Sequence, residues 1–177
     1  MLRLFLSYIT FPGVIAHEFA HAWACRRLGI QVHRVCYLRF GNPLGYVLHD
    51  QPASSIAHIM VAVAPFFVST ALALAISLLT CLFSQIAFYP EIRIFTMTGT
   101  IWVSFSCALH AFPSSGDADA LWNDVRSREV SFLNKLLLAP VVGLIRLTQI
   151  GSRLWLDVLF ALSFVALPPA LLLVLTS

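Results

Sequence analysis

Residues 4–28, LFLSYITFPGVIAHEFAHAWACRRL, decide how the rest of the chain is read. The stretch is long enough to cross a bilayer, which takes about 20 predominantly apolar residues, and Arg26 and Arg27 close it. Pro12-Gly13 is expected to kink or restart the helix, because proline lacks a backbone donor and crowds the preceding turn. The middle of the stretch nevertheless holds two imidazoles and a carboxylate, His17, Glu18 and His21. Ionisable groups at membrane depth are costly and by default functional.

Composition outside this stretch agrees. The chain has 177 residues, 59% of them hydrophobic and only 11% charged, with a mean hydropathy of +0.87. A soluble domain carries roughly 25% charged residues. So little charge cannot cover a water-facing surface, which excludes an ordinary cytosolic enzyme, a disordered tail and a secreted disulfide scaffold. The net charge of +3 comes from scattered arginines, so there is no nucleic-acid footprint. Cys25, Cys36, Cys81 and Cys107 form no CxxC pair, and a free thiol in an apolar run behaves as a small hydrophobe. The start of the chain has the layout of a signal peptide, but the apolar pattern runs past the cleavage point, so an uncleaved helix is expected.

Further apolar runs cover Ile56–Phe83 with Pro65 inside, Ile94–Phe112, Phe132–Gln149 and Leu154–Leu175. The fourth run, broken by Lys135, Pro140 and Arg146, either spans or lies in the interface. The expected fold is an all-α, multi-pass membrane protein with about five transmembrane helices, forming one domain over residues 1–177. Residues 30–52 read as two extended runs, Gln31–Arg39 and Gly45–His49, around a GNPLG turn, so a β-hairpin is expected between the first two spans. Residues 113–131 hold four of the eight acidic residues. Arg26, Arg27, Arg34 and Arg39 near the hairpin, with Arg126 and Arg128, place both connections on the cytoplasmic side by the charge rule. The 14 phenylalanines read as lipid-facing bulk.

His17-Glu18-Phe19-Ala20-His21 is an HExxH sequence. At 100° per residue the two imidazoles stand one turn apart on one helix face. There they can take neighbouring corners of a zinc tetrahedron, with Glu18 placed to act as general base on a water whose pKa zinc lowers toward ~7. The competing reading is a polar cluster that packs helices together. A catalytic zinc needs a third protein ligand and an open position. The metzincin extension is excluded, since Ala24 and Arg27 stand where it needs Gly and His. Asp117, Asp119, Asp124, His110, Glu129, His33 and His49 remain as candidates.

The sequence resembles the site-2 protease family of intramembrane zinc metalloproteases. That family combines HExxH with a GPxxN-like segment in the next span and an N-x-x-P-x-P-x-L-D-G element whose Asp is the third zinc ligand. Ala64-Pro65-Phe66-Phe67-Val68-Ser69 is similar to the second element, and His110-Ala111-Phe112-Pro113-Ser114-Ser115-Gly116-Asp117 to the third. The likeness covers residues 11–125, a metalloprotease-like core, and leaves 126–177 as C-terminal hydrophobic helices. The third element departs from the pattern: LDG is missing, and Asp falls four or six residues after Pro113 rather than five. Asp119 shares a polar i, i+4, i+7 stripe with Asn123 and Arg126, which reads as a solvated face. Asp117 shares its side with Ala120 and Leu121 and falls in the first turn of a helix starting at Pro113-Ser114-Ser115. Asp117 is therefore favoured as ligand, with helix capping as the other role such an acid takes.

His110 takes the family's Asn place, which implies a catalytic hydrogen bond to the oxyanion or the substrate carbonyl; a packing role is the alternative. His58 is expected at the interface and His33 and His49 on the hairpin surface. Together the resemblance implies one zinc ion per chain on His17, His21 and Asp117, with Glu18 as base. It also implies hydrolysis of transmembrane or membrane-associated protein substrates in or near the bilayer, the hairpin edge holding the unwound substrate as an added strand. Small size and the lack of sorting signals point to a prokaryotic cytoplasmic membrane. Two other classes compete. One is a non-catalytic zinc protein with four ligands, His110 the fourth, and the other is a transporter, for which inverted repeats are missing.

Overall fold

The computed structural model describes residues 2–86, 89–126 and 131–176. Among these, α1 covers Leu2–Ile9, α2 Phe11–Arg27, α3 Ser55–Ile86, α4 Pro90–Leu109, α5 Ser115–Arg126, α6 Phe132–Arg153 and α7 Leu156–Thr176. Strands β1, Val32–Cys36, and β2, Tyr46–His49, lie between α2 and α3.

The first apolar run is not one helix. Thr10 ends α1, its N–H and its hydroxyl both donating to the Leu6 carbonyl, at 2.9 and 2.8 Å. A new helix then starts with Pro12 in its first turn, where a missing N–H costs nothing. The run expected over 4–28 thus becomes an 8-residue helix and a 17-residue helix. Three described helices are long and apolar enough to cross a membrane: Ser55–Ser84, Pro90–Leu109 and Phe132–Arg153. The Phe132 helix carries Pro140 inside it and still qualifies. Leu156–Pro168 is a shorter apolar stretch, so among the described residues length and composition support three of the expected spans. Phe67, Leu74, Leu78 and Leu82 lie exposed along α3, a face that water would not tolerate at this size.

The hairpin is present, antiparallel, pairing Cys36 with Tyr46 and Val32 with His49, with an irregularity between Val32 and Arg34. All four cysteines are free. Not every phenylalanine faces outward. Phe66, Phe112, Phe160 and Phe164 form a chain of ring contacts, with centroids 4.7–5.7 Å apart from one ring to the next, joining α3 to α7.

Small residues let the helices approach. Ala16 of α2, Ala73 of α3, Cys107 and Ala108 of α4 and Ala161 of α7 form one buried cluster. Ala24 and Cys25 meet Val61 and Ala64 in a second. A third docks α5 and α6 on α3 through Ala62, Ala118, Leu121, Leu138 and Val142. Close packing of small side chains, with polar groups bonding across, is how helices associate in lipid, and the Ser104 hydroxyl donates to the Ala73 carbonyl at 2.8 Å.

Nearest approach is at Gly13, where a Cβ would overlap the Ser106 backbone carbonyl and come within 2.7 Å of the His110 ring. A backbone carbonyl cannot swing aside as a side chain does. Gly13→Ala is expected to lower stability by about 3 kcal/mol, the upper part of the usual overpacking range. Unfolding of the detergent-solubilised protein would show it, and an unchanged midpoint would mean that α2 and α4 slide apart freely.

Candidate metal centre

Helix α2 presents His17 and His21 one turn apart, as the spacing requires, and both are nearly buried. Their orientation is set from outside the helix. The His17 Nδ1–H donates to the carbonyl of His110 at 2.8 Å. His110 is the C-cap of α4, where helix carbonyls lack partners of their own. The His21 Nδ1–H donates to the Val61 carbonyl of α3 at 3.0 Å. A carbonyl only accepts, so each Nδ1 carries the proton and each Nε2 presents a lone pair. The two Nε2 atoms lie 3.2 Å apart.

Asp117, brought in by α5, completes the cluster. Its Oδ1 is 3.3 Å from Nε2 of His21 and its Oδ2 is 3.9 Å from Nε2 of His17. Its side chain is 17% exposed. Two nitrogen lone pairs and a carboxylate aimed at one point repel each other unless a cation, a proton or a metal ion, sits among them. Zn–N bonds of about 2.0–2.1 Å imply tetrahedral edges of roughly 3.3–3.4 Å. The Nε2–Nε2 and Oδ1–His21 separations match that edge, the His17 distance is to the other carboxylate oxygen, and one donor atom from each residue lies within 4.8 Å of the other two. Two His and one carboxylate are also a donor set of catalytic zinc sites with an open position, so the residues fit zinc.

Sequence left Asp117 either a ligand or a capping acid, and its geometry serves both. Ser114 N–H and Oγ–H donate to Oδ2 at 2.6 and 2.7 Å, while Ser114 Oγ accepts from the Asp117 N–H at 3.3 Å. This reciprocal pair is a capping box, and Oδ1 is left toward His21. Burial works against the charge of Asp117, but when a proton takes the cation's place on the imidazoles, the hydrogen bond from His21, the charges of His21 and His17 and the bond from Ser114 outweigh it, holding the carboxyl well below the usual carboxylate range.

Asp119 is exposed and ion-paired with Arg146 of α6, the solvated role its stripe suggested. His33 bonds to the Asp50 carboxylate and His49 to the Asp50 carbonyl, both at 2.7 Å. Asp124 has its side chain, and Glu129 its whole residue, outside the described residues. His58, expected at the interface, is buried and lines the same cleft as the cluster. His110 also lines that cleft, but its ring is engaged. Thr10 gives its one hydroxyl proton to Leu6, so His110 Nε2–H donates to Thr10 Oγ1 at 2.8 Å. The geometry favours the packing role over the oxyanion role: His110 acts through its backbone carbonyl, positioning His17.

Glu18 is half-buried beside the cluster and, among the described residues, makes no hydrogen bond. The hairpin lies directly over it: a Cβ on Gly45 would overlap the Glu18 side chain and crowd the Cys36 carbonyl. The cleft, about 860 Å³, runs between His17, His21, Glu18, β2 and residues 113–117. The hairpin and residues 113–117 therefore line one cleft. Arg3 and Asp157 line it too, paired at 2.9 Å.

Thr10, Val61, Ser114 and Gly45 also shape the site, and no metal-binding motif in the sequence includes Thr10 or Gly45. Ser114, three residues before Asp117, carries a capping signal in sequence. Val61 carries a different signal, since it stands four residues before Pro65, which has no N–H to bond its carbonyl. Compared with known proteins, the chain matches no protein family, no curated protein and no solved structure.

Proposed function

We propose that this protein is a membrane-embedded zinc metalloprotease that hydrolyses peptide bonds of membrane-protein substrates in or near the bilayer. The observation that carries the reading is the convergence of His17, His21 and Asp117, with lone pairs turned inward, in a cleft that Glu18 also lines. Bound zinc would supply Lewis acidity toward the scissile carbonyl and lower the pKa of a coordinated water.

The chain's own groups do the rest. His110 and Val61 carbonyls keep the two imidazoles in the metal-binding tautomer, and Ser114 holds the Asp117 carboxylate. Glu18 takes the proton of the attacking water and delivers it to the leaving amine nitrogen as the C–N bond breaks. A substrate must be locally extended, since a helix hides its carbonyls. The free edge of β2, beside Glu18, offers backbone groups to an added strand. Among the described residues the group able to hold an ion is His17, His21 and Asp117, without His110 as a fourth donor, and three protein donors leave the open position that catalysis needs.

The test is zinc content and cleavage of a fluorescent transmembrane reporter in proteoliposomes. One zinc per chain is expected, with cleavage abolished by chelator and restored by zinc. Metal-replete protein without zinc overturns the reading, and zinc-loaded protein inert toward every reporter favours the non-catalytic alternative.

A further inference from the structure

Proline in the interior of a helix removes the donor that would bond the carbonyl four residues earlier, and its ring crowds that carbonyl. Pro65 lies within α3 and is fully buried, so no N–H at position 65 exists to bond the Val61 carbonyl. Such freed groups survive in lipid only when a neighbour satisfies them. Here the neighbour is the His21 ring, whose Nδ1 lies 3.0 Å from the Val61 oxygen. The other imidazole is served in the same manner, by a carbonyl at the end of α4.

We propose that Pro65 is a positioning residue for the metal centre: by withholding an N–H it reserves the Val61 carbonyl for His21, fixing that ring with Nε2 toward Asp117. The inference rests on the metal-centre reading above and extends it to a residue that touches neither metal nor substrate. A ligand imidazole whose other nitrogen donates to a fixed acceptor is oriented and made more basic, and losing such a partner typically costs 10–100-fold in metal affinity. An alanine at 65 would bring back a backbone N–H that competes for the Val61 oxygen and leaves the His21 ring free to turn.

The experiment compares wild type, Pro65→Ala and a backbone-ester variant carrying the α-hydroxy analogue of alanine at 65, which like proline has no N–H. Two readouts are taken in detergent: zinc affinity by chelator competition, and the His21 ring tautomer in metal-free protein by ¹⁵N NMR. Pro65→Ala is expected to bind zinc 10–100-fold more weakly and to lose the Nδ1–H tautomer at His21, and the ester variant to recover both. A Pro65→Ala protein that keeps the wild-type tautomer and affinity overturns the proposal, as does an ester variant no better than Pro65→Ala. If wild type itself bound no zinc, the metal-centre reading would fall, while the tautomer would still decide what Pro65 does.

Discussion

Asp117→Ala is expected to release the metal. Loss of an outer-shell partner lowers metal affinity by 10–100-fold, and removing one of three protein donors is expected to exceed about 100-fold. The variant also loses half of the capping box with Ser114, which weakens α5 by about 1 kcal/mol. Asp117→Asn separates the effects, since its amide oxygen still accepts from Ser114 while the negative charge is gone. Both variants are expected to lose zinc in equilibrium dialysis, and Asp119→Ala to keep it. The Asp119 partner is Arg146 on an exposed surface, where an ion pair contributes about 1 kcal/mol at most. Zinc retained by Asp117→Ala and lost by Asp119→Ala would reverse the assignment and require α5 to turn.

Glu18→Gln is expected to leave zinc in place and lower kcat by about 10²–10⁴-fold, the usual contribution of a positioned general base. The side chain keeps its shape, so the close contact with Gly45 is retained and KM should change little. This split separates a catalytic from a structural metal site, because a structural site has no use for a base. Full activity in Glu18→Gln would remove Glu18 from the chemistry, and loss of zinc in the same variant would make it a ligand or a support.

Much of the architecture follows from local pattern. The 3.6-residue repeat puts His17 and His21 on one face without reference to any other helix, and the GNPLG turn between extended runs places the hairpin. The span count was less legible. Hydropathy treats residues 4–28 as one stretch, whereas Thr10 bonding back to Leu6 and Pro12 opening a new helix divide it in two. The weak-looking run from Phe132 became a helix long and apolar enough to cross.

The sequence by itself determined the one-turn spacing of the two imidazoles and the carboxylate beside the first of them. Only the tertiary structure decided which carboxylate meets them. Asp117 and Asp119 sit two residues apart, some 200° around α5, and the spacing from Pro113 fits neither better than the other. Docking of Ala118 and Leu121 onto α3 and α6 turns Asp117 inward and leaves Asp119 to Arg146. Ring orientation was likewise decided at a distance, by carbonyls 40 and 93 residues away in sequence. Helical periodicity is a property of neighbours along the chain. The rotation of one helix against another depends on how side chains from separate segments fill shared space, which no local pattern encodes.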